Sequence, residues 1–325
     1  MNERFFVTGA LGCIGAWVVK HLVERGDQAV VYDLGDDARR LCDIVAEPLL
    51  AQVQFVRGDI TDLAATRRAV AAAAPRAVVH LAGLQVPACR QDPVQGARVN
   101  VLGTMHLFDA ALAAKVPRLV YASSAAVFGP SEDDGVAVDE HTPAEPVTHY
   151  GVFKRANEGT ARIYWQEQNL ASVGLRPLTV YGVGRDQGMT SGPTTAMKAA
   201  VLGRPFRIGF SGPTDFHFVG DTAAAFVAAA DGGPPGAHVY NLHGDTLDVA
   251  DFVRAIEAEC PAAKGSLTIQ GPRIPIPPEL DGSAFRAAYP AVPHTPLAVG
   301  VRRTLAAFRD LAAAGRLDTR DLPST

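Results

Sequence analysis

Short apolar runs alternate with longer helical stretches through the first half of the chain. The runs are rich in β-branched and aromatic residues, and they predict strands over residues 5–8, 28–33, 53–57, 77–81, 119–123 and 172–176. Stretches rich in Ala and Leu predict helices over 12–25, 63–73, 94–114 and 150–169. This β-α-β-α alternation favours an α/β fold with a doubly wound parallel sheet, helices on both faces and ligands at the carboxyl ends of the strands.

The regular alternation ends after Pro177. A Gly-rich loop over 181–192 is followed by predicted helices over 194–202, 222–230, 249–257 and 297–314, and by predicted strands over 215–219 and 238–241. Dense Pro between residues 272 and 296 predicts a loop there. We therefore predict two units, residues 1–180 and a smaller C-terminal α/β lobe over 181–325 that binds the substrate and interleaves with the first.

The charge balance excludes several classes of partner. The 325 residues carry 30 Lys and Arg against 34 Asp and Glu, a net charge of −4 without a long block of either sign. Nucleic acid and anionic membrane are therefore not expected as partners. No apolar run reaches the roughly 18 residues of a membrane span, and the first strand begins too early for a signal sequence to precede it.

The cysteines and histidines indicate neither disulfides nor a metal. Four widely scattered cysteines provide no CxxC pair, which favours a reducing compartment and predicts a cytoplasmic location. No cluster of His, Cys, Asp or Glu has the spacing of metal ligands, so we predict no metal.

The segment TGALGCIG at 8–15 joins the first predicted strand to the first helix, which is where a dinucleotide-binding loop belongs. Glycines let the backbone approach a pyrophosphate at the helix N-terminus. Asp33 ends the second strand, where a carboxylate can bind ribose hydroxyls and repel a 2′-phosphate. NAD is therefore the predicted cofactor, and Arg39 and Arg40 further on leave NADP open. The predicted cofactor contacts here are Gly9, Leu11, Gly12, Cys13, Ile14, Gly15 and Asp33.

Tyr150 and Lys154 are spaced i, i+4 and so share one face of a predicted helix. A phenol with an ordinary pKa of about 10 can take a proton from an alcohol when a neighbouring ammonium and an oxidised nicotinamide stabilise the phenolate. Ser123 and Ser124 end the fifth strand, where a hydroxyl can hold the reacting oxygen beside the phenol. These residues together predict hydride-transfer chemistry on an alcohol.

Seven segments in order over most of the chain to about residue 185 resemble the extended short-chain dehydrogenase/reductase family, and within it the NAD-dependent sugar epimerase/dehydratase group. They read TGALGCIG (8–15), GDITD (58–62), HLAGLQVP (80–87), VNVLGT (99–104), YASSAAVFG (121–129), YGVFK (150–154) and LRPLTVYGVGR (175–185). The resemblance implies a Rossmann-type sheet. It implies that Tyr150 acts as general base or acid, that Lys154 lowers its pKa and binds the nicotinamide ribose, and that Ser124 orients the substrate oxygen.

The resemblance also implies further contacts with the cofactor. Asp59 and Ile60 would border the adenine, and Asn100 would buttress the site. The full set of additional cofactor positions is Asp59, Ile60, Leu81, Ala82, Gly83, Asn100, Ser123, Tyr150, Lys154 and Pro177. The expected substrate-binding residues are Gln85, Ser124, Arg185, Thr190 and Ser191.

Three departures from the family pattern narrow the expected chemistry. Ala125 and Ala126 stand where sugar 4,6-dehydratases of this kind carry an Asp-Glu pair, which disfavours dehydration. Ala126 also stands where proton-exchange epimerases place a Cys, which leaves plain hydride transfer. Thr214 occupies the usual place of an Arg that clamps a nucleotide diphosphate, although Arg185, Arg204, Arg207 or Arg273 could substitute for it.

We therefore expect an NAD-dependent oxidoreductase or epimerase, a homodimer, that acts at a secondary alcohol of a sugar, sugar acid or polyol. A nucleotide-sugar 4-epimerase of the UDP-sugar type is the alternative. A non-catalytic NAD-sensing regulator and a reductase of hydrophobic ketones also remain open.

Overall fold

The computed structural model describes residues 2–130 and 136–323, in which twelve strands and thirteen α-helices follow one another. The strands are β1 (Arg4–Thr8), β2 (Gln28–Asp33), β3 (Val53–Arg57), β4 (Ala77–His80), β5 (Arg118–Ala122), β6 (Ala171–Arg176), β7 (Thr179–Tyr181), β8 (Phe206–Ile208), β9 (Pro213–Phe218), β10 (Ala237–Asn241), β11 (Asp245–Asp248) and β12 (Leu267–Ile269). The helices are α1 (Cys13–Glu24), α2 (Arg39–Cys42), α3 (Glu47–Leu50), α4 (Leu63–Ala73), α5 (Val86–Gln91), α6 (Pro93–Ala97), α7 (Gly103–Ala113), α8 (His149–Gln168), α9 (Gly192–Val201), α10 (Val219–Asp231), α11 (Val249–Glu259), α12 (Ser283–Ala288) and α13 (Leu297–Ala313).

Seven strands form one all-parallel sheet in the order β10-β6-β5-β4-β1-β2-β3. The strands in its middle are buried on both faces, as their continuous apolar runs predict. The sheet confirms the predicted α/β, Rossmann-type, doubly wound fold. Strand order reverses between β1 and β4, so their carboxyl ends open the crevice in which such folds bind ligands.

Helices cover both faces of this sheet. Helices α1 and α10 pack together on one face, and their apolar sides join one core with β1, β2 and β6. Helices α4, α7 and α8 pack on the other face, where Phe108 stacks on Tyr164 with 5.0 Å between ring centroids. Each core is built from apolar residues that recur at helical or strand spacing, so the sequence pattern fixes which side of each element is buried.

The residues beyond 180 contribute to two parts of the molecule. β7, β9 and β11 form a second sheet, β8 pairs with β12, and helices α9, α11 and α13 pack against them in a separate core, which is called the second unit below. Helix α10 and strand β10, however, return to the large sheet. The chain therefore crosses between the two units several times, and the boundary at residue 180 stays a prediction.

Two local predictions need correction. The stretch 272–296, predicted as loop, contains helix α12, because Phe285 and Tyr289 pack against Tyr240 of β10. The helix predicted over 94–114 is interrupted by a π-helical turn at Arg98–Leu102. There the Asn100 carbonyl accepts hydrogen bonds from the side chains of Thr104 (2.7 Å) and Asn157 (2.8 Å), which help to satisfy it within the wider turn.

Within the described ranges, no helix is both long enough and apolar enough to cross a bilayer.

Candidate active site

A cavity of about 610 Å³ runs along the carboxyl edge of the large sheet and continues under the second unit. Its walls come from the loops after β1 to β6, from the start of α8 and from the segments around Arg185 and Ile274. The cavity thus lies at the switch point of the sheet, where the fold rule places a ligand.

The loop between β1 and α1 is built around glycines that have no room for a side chain. Gly9 has φ +64°, and a Cβ there would lie 2.5 Å from the backbone nitrogen of Ala82. A Cβ on Gly15 would lie 2.2 Å from the carbonyl oxygen of Gly9, so the glycine lets α1 pack directly on the loop. The helix begins at Cys13 with its N-terminus beside the cavity, which is the cradle that a pyrophosphate needs.

Asp33 lies at the same end of the cavity. Its carboxylate accepts hydrogen bonds from the backbone nitrogens of Leu11 (3.1 Å) and Gly35 (3.2 Å), which orient it beside the glycine loop. A carboxylate held in this way can accept the hydroxyls of an adenosine ribose. The glycine cradle and this carboxylate together fit NAD.

Lys154 and Tyr150 meet on α8 at the far side of the cavity. The Lys154 ammonium donates to the carbonyl oxygen of Ala122 at 2.7 Å and lies 5.5 Å from the centre of the Tyr150 ring. Burial lowers the pKa of Lys154 to about 8 from 10.5, because the charged form loses solvation. At neutral pH the ammonium therefore remains mostly charged beside the phenol.

Burial raises the pKa of the Tyr150 phenol, whereas its hydrogen bond with Ser124 and the charge of Arg185 lower it. Ser124 adopts an extended backbone at the end of the β5 loop, and its hydroxyl accepts from the backbone nitrogen of Ala126 at 3.1 Å. The serine and tyrosine oxygens are thus neighbours in the cavity wall, as a pair that binds one substrate oxygen must be.

The position of α8 is fixed at its start and along its buried side. Thr148 caps the helix through the backbone nitrogen of Gly151 (3.0 Å), and a Cβ on Gly151 would lie 2.1 Å from the carbonyl oxygen of Ala126. One turn after Lys154, the buried Glu158 carboxylate accepts from Ser123 (2.6 Å) and from Arg176 (2.7 and 2.8 Å). These contacts tie α8 to β6 and to the end of β5.

The other end of the cavity combines a polar loop with an apolar wall. Arg185 donates to Thr190 at 2.9 Å, and Gly188 between them has φ +96° and packs against the Gln85 side chain. The Arg185 Nε is buried and has no hydrogen-bond partner among the residues that the structure describes. The apolar lining here consists of Val86, Phe128, Val147, Leu178, Met189, Ile274, Pro275 and Ile276.

The structure brings most of the predicted site residues to this cavity. Asn100 and Ser191 do not line it. Asn100 is buried behind the wall and exchanges hydrogen bonds with the backbone of Leu84, both at 2.9 Å, so it acts as a support. Ser191 precedes α9 and donates its hydroxyl to the carbonyl oxygen of Gly188 (3.0 Å), so its contact with the substrate stays a prediction.

Sequence reasoning missed part of the lining. Tyr32, Leu34, Gly35 and Gly58 border the cofactor end, and a signal for them was present because each lies within two residues of Asp33 or Asp59. The segment at Ile274, by contrast, carries no motif, and the tertiary fold alone brings it to the cavity.

Cys13 lines the cavity, and burial raises the pKa of its thiol to about 12, which keeps it protonated. The four cysteines are all unpaired. Among the described residues, no group of three or more His, Cys, Asp or Glu side chains could hold a metal ion.

Comparisons with known proteins point to one family. A model of the NAD dependent epimerase/dehydratase family matches residues 5–242. The UDP-glucose 4-epimerase of Mycolicibacterium smegmatis is 30% identical over 94% of this chain and 99% of its own length, and that of Azospirillum brasilense is 31% identical over 88% and 85%. The crystal structure of the Thermus thermophilus UDP-glucose 4-epimerase complex with NAD superposes with a TM-score of 0.80 at 27% identity, over 94% of this chain and 99% of that one.

Proposed function

The chain belongs to the NAD-dependent epimerase/dehydratase family and is an NAD-dependent enzyme, and we propose that its substrate is a sugar, sugar acid or polyol oxidised at a secondary alcohol. The observation that carries this proposal is the meeting of Ser124, Tyr150 and Lys154 in one cavity with the glycine loop. Bound NAD would supply the hydride acceptor.

The protein's own residues would transfer the proton and orient the substrate. Ser124 would donate a hydrogen bond to the substrate oxygen, and Tyr150 would take the proton of the alcohol as hydride leaves the carbon. The Lys154 charge favours the phenolate, and its hydrogen bond to Ala122 holds it in place. Gly9, Gly12 and Gly15 would hold the pyrophosphate, and Asp33 the adenosine ribose.

Arg185 would anchor the far end of the substrate. In the described part of the cavity wall, the cationic side chains are Lys154, Arg40 and Arg185. The buried Nε of Arg185 makes no hydrogen bond within that part of the chain. Gln85, Thr148 and Thr190 add neutral donors and acceptors to the same cavity. Such polar anchors favour a hydroxylated or acidic substrate over a hydrophobic ketone.

A nucleotide-sugar 4-epimerase is the second candidate, supported by relatives of that name along nearly the whole chain. In that reaction the ketone accepts the hydride back on its other face, with Tyr150 returning the proton. The same Ser124, Tyr150 and Lys154 serve both candidates, so the choice depends on the substrate end of the cavity.

A substrate panel tests both candidates with one enzyme preparation. We would incubate the enzyme and NAD with sugar acids, polyols, free sugars and UDP-hexoses, and follow both NADH absorbance and product stereochemistry. Stoichiometric NADH with a keto product identifies a dehydrogenase, and an inverted product without net NADH identifies an epimerase. NAD binding without any reaction across the panel would contradict the proposal.

We also propose a homodimer formed through α7 and α8. Leu102, Met105, Val152 and Ile163 lie on or beside these adjoining helices and are each 39–47% exposed, an apolar face that a second copy could cover. Sedimentation of the wild type and of Met105→Asp/Ile163→Asp measures this directly. A wild-type monomer at micromolar concentration would contradict the dimer.

We also propose that the protein is located in the cytoplasm. The four unpaired cysteines support a reducing compartment.

A further inference from the structure

Arg40 and Asp33 contact the same residue of the glycine loop from two sides. Asp33 accepts the Leu11 N–H at 3.1 Å, and Arg40 Nη1 donates to the Leu11 carbonyl oxygen at 3.0 Å. Both side chains line the cavity. The guanidinium therefore lies at the same end of the cavity as Asp33, and a turn of the Arg40 side chain would bring it toward the position of a 2′-phosphate.

The other two guanidinium nitrogens of Arg40 donate to the loop after β7. Its Nε and Nη2 donate to Asp186 at 3.1 and 2.7 Å, and its stem packs against Gly184, whose φ is +92°. The two side chains are only 17% and 12% exposed. Asp186 follows Arg185 in the loop that forms the substrate end of the cavity.

This ion pair opposes any turn of Arg40 toward the cofactor. An arginine near the second strand can accept a 2′-phosphate in NADP-binding proteins. Here such a movement would break a two-donor, charge-assisted contact and leave Asp186 with Arg39 Nη2 at 3.6 Å. Removing one partner of a poorly solvated pair costs more than removing a surface partner.

We propose that Asp186 is a positioning residue for cofactor selectivity, which holds Arg40 away from the ribose so that Asp33 meets the 2′-position without a neutralising cation. Selectivity for NAD over NADP then depends on two carboxylates from different parts of the chain. In the sequence alone, Arg39 and Arg40 leave NADP binding possible. Asp186, which lies 146 positions after Arg40, would disfavour it by holding the Arg40 guanidinium.

Direct titration of the two cofactors tests the proposal without any substrate. The dissociation constants of NAD and NADP would be measured by calorimetry for the wild type and for Asp186→Asn. We expect the wild type to prefer NAD at least tenfold and Asp186→Asn to reduce that preference at least fivefold, chiefly through tighter NADP binding. A preference within twofold of the wild type would overturn the proposal.

Two further variants separate the action of Arg40 from a general change of charge. Asp318→Asn removes a carboxylate that pairs with Arg39 instead, and should leave the preference unchanged. Arg40→Ala/Asp186→Asn removes the whole pair at constant charge and should restore a preference within threefold of the wild type. If the double variant binds NADP as well as Asp186→Asn does, Asp186 does not act through Arg40 and the proposal is wrong.

The double variant also tests the proposal if Asp186→Asn alone does not fold. Because Arg40 does not reach the phosphate in the wild type, its loss together with Asp186 should not weaken NADP binding. A tenfold loss of NADP affinity in the double variant would show that Arg40 already serves the 2′-phosphate, which overturns the proposal. The cofactor titrations can be measured even if the enzyme is inactive on every sugar. A failure of the Asp186 proposal is therefore distinguishable from a failure of the proposed function.

Discussion

Tyr150 is the residue on which the proposed chemistry depends most. Replacing it with Phe deletes the oxygen that exchanges a proton with the substrate and leaves the cofactor cradle at the glycine loop intact. We expect Tyr150→Phe to lose nearly all turnover while its NAD affinity stays within a few-fold of the wild type. Steady-state rates and a NAD titration on the same preparation measure both. More than about a tenth of the wild-type rate would exclude the proton-transfer role.

Lys154→Ala is the matched comparison on the same helix. Its ammonium lies beside the phenol and bonds the Ala122 carbonyl in the wall of the cofactor site. We therefore expect this variant to lose both turnover and NAD affinity. Unchanged NAD affinity would mean that the ammonium acts on Tyr150 alone.

At the scale of elements, a buried histidine ties three of them together. His80 at the end of β4 lies 2.7 Å from the Thr8 hydroxyl of β1 and 3.0 Å from the Thr104 hydroxyl of α7. Because the Thr104 proton is used on the Asn100 carbonyl, His80 Nε2 donates and Nδ1 accepts. A second proton on the ring would turn Nδ1 from an acceptor into a donor, so the Thr8 hydroxyl would have to direct its own proton elsewhere.

This contact predicts an acid-sensitive fold. Burial lowers the pKa of His80 to about 3 from 6.5, so the unfolded chain binds a proton that the native state rejects between these values. The stabilisation is complete above about pH 6.5 and is lost as the pH falls, by about 2 kcal/mol at pH 5. Urea unfolding of the wild type and of His80→Gln at pH 7.5 and 5 measures it. The exposed His141→Gln serves as control. An equal pH dependence in the wild type and His80→Gln would contradict this assignment.

The elements also show what the sequence could predict. The glycine loop, Asp33 and the Tyr150–Lys154 pair were predictable because each needs particular residue types at fixed local spacing. The Arg40–Asp186 pair was not, since partners far apart in the chain meet only through the tertiary fold. The predicted substrate contact of Ser191 rests on its loop position alone, and the turn in which its hydroxyl donates to Gly188 is likewise not visible in the sequence pattern.

At the scale of the whole molecule, the residues at the substrate end of the cavity determine which of the two candidate substrates can bind. Thr214 is buried and its hydroxyl meets that of Thr179 at 2.8 Å between two strands, so it does not reach the cavity. Of the four arginines that could replace a diphosphate clamp, Arg185 alone lines the cavity in the described chain. The sequence-based preference for a smaller substrate therefore depends on whether one arginine suffices for a diphosphate.

A binding measurement with UDP resolves this question. A hydrogen bond to a charged group contributes about 1.5–3 kcal/mol, so a missing arginine weakens diphosphate binding roughly ten- to hundredfold. We expect calorimetry of the enzyme with bound NAD to show no saturable binding of UDP at low micromolar concentration. If UDP does bind in that range and Arg185→Gln abolishes it, Arg185 is a sufficient clamp. The nucleotide-sugar 4-epimerase then becomes the better assignment, because the diphosphate would have a cation within the same cavity as Ser124 and Tyr150.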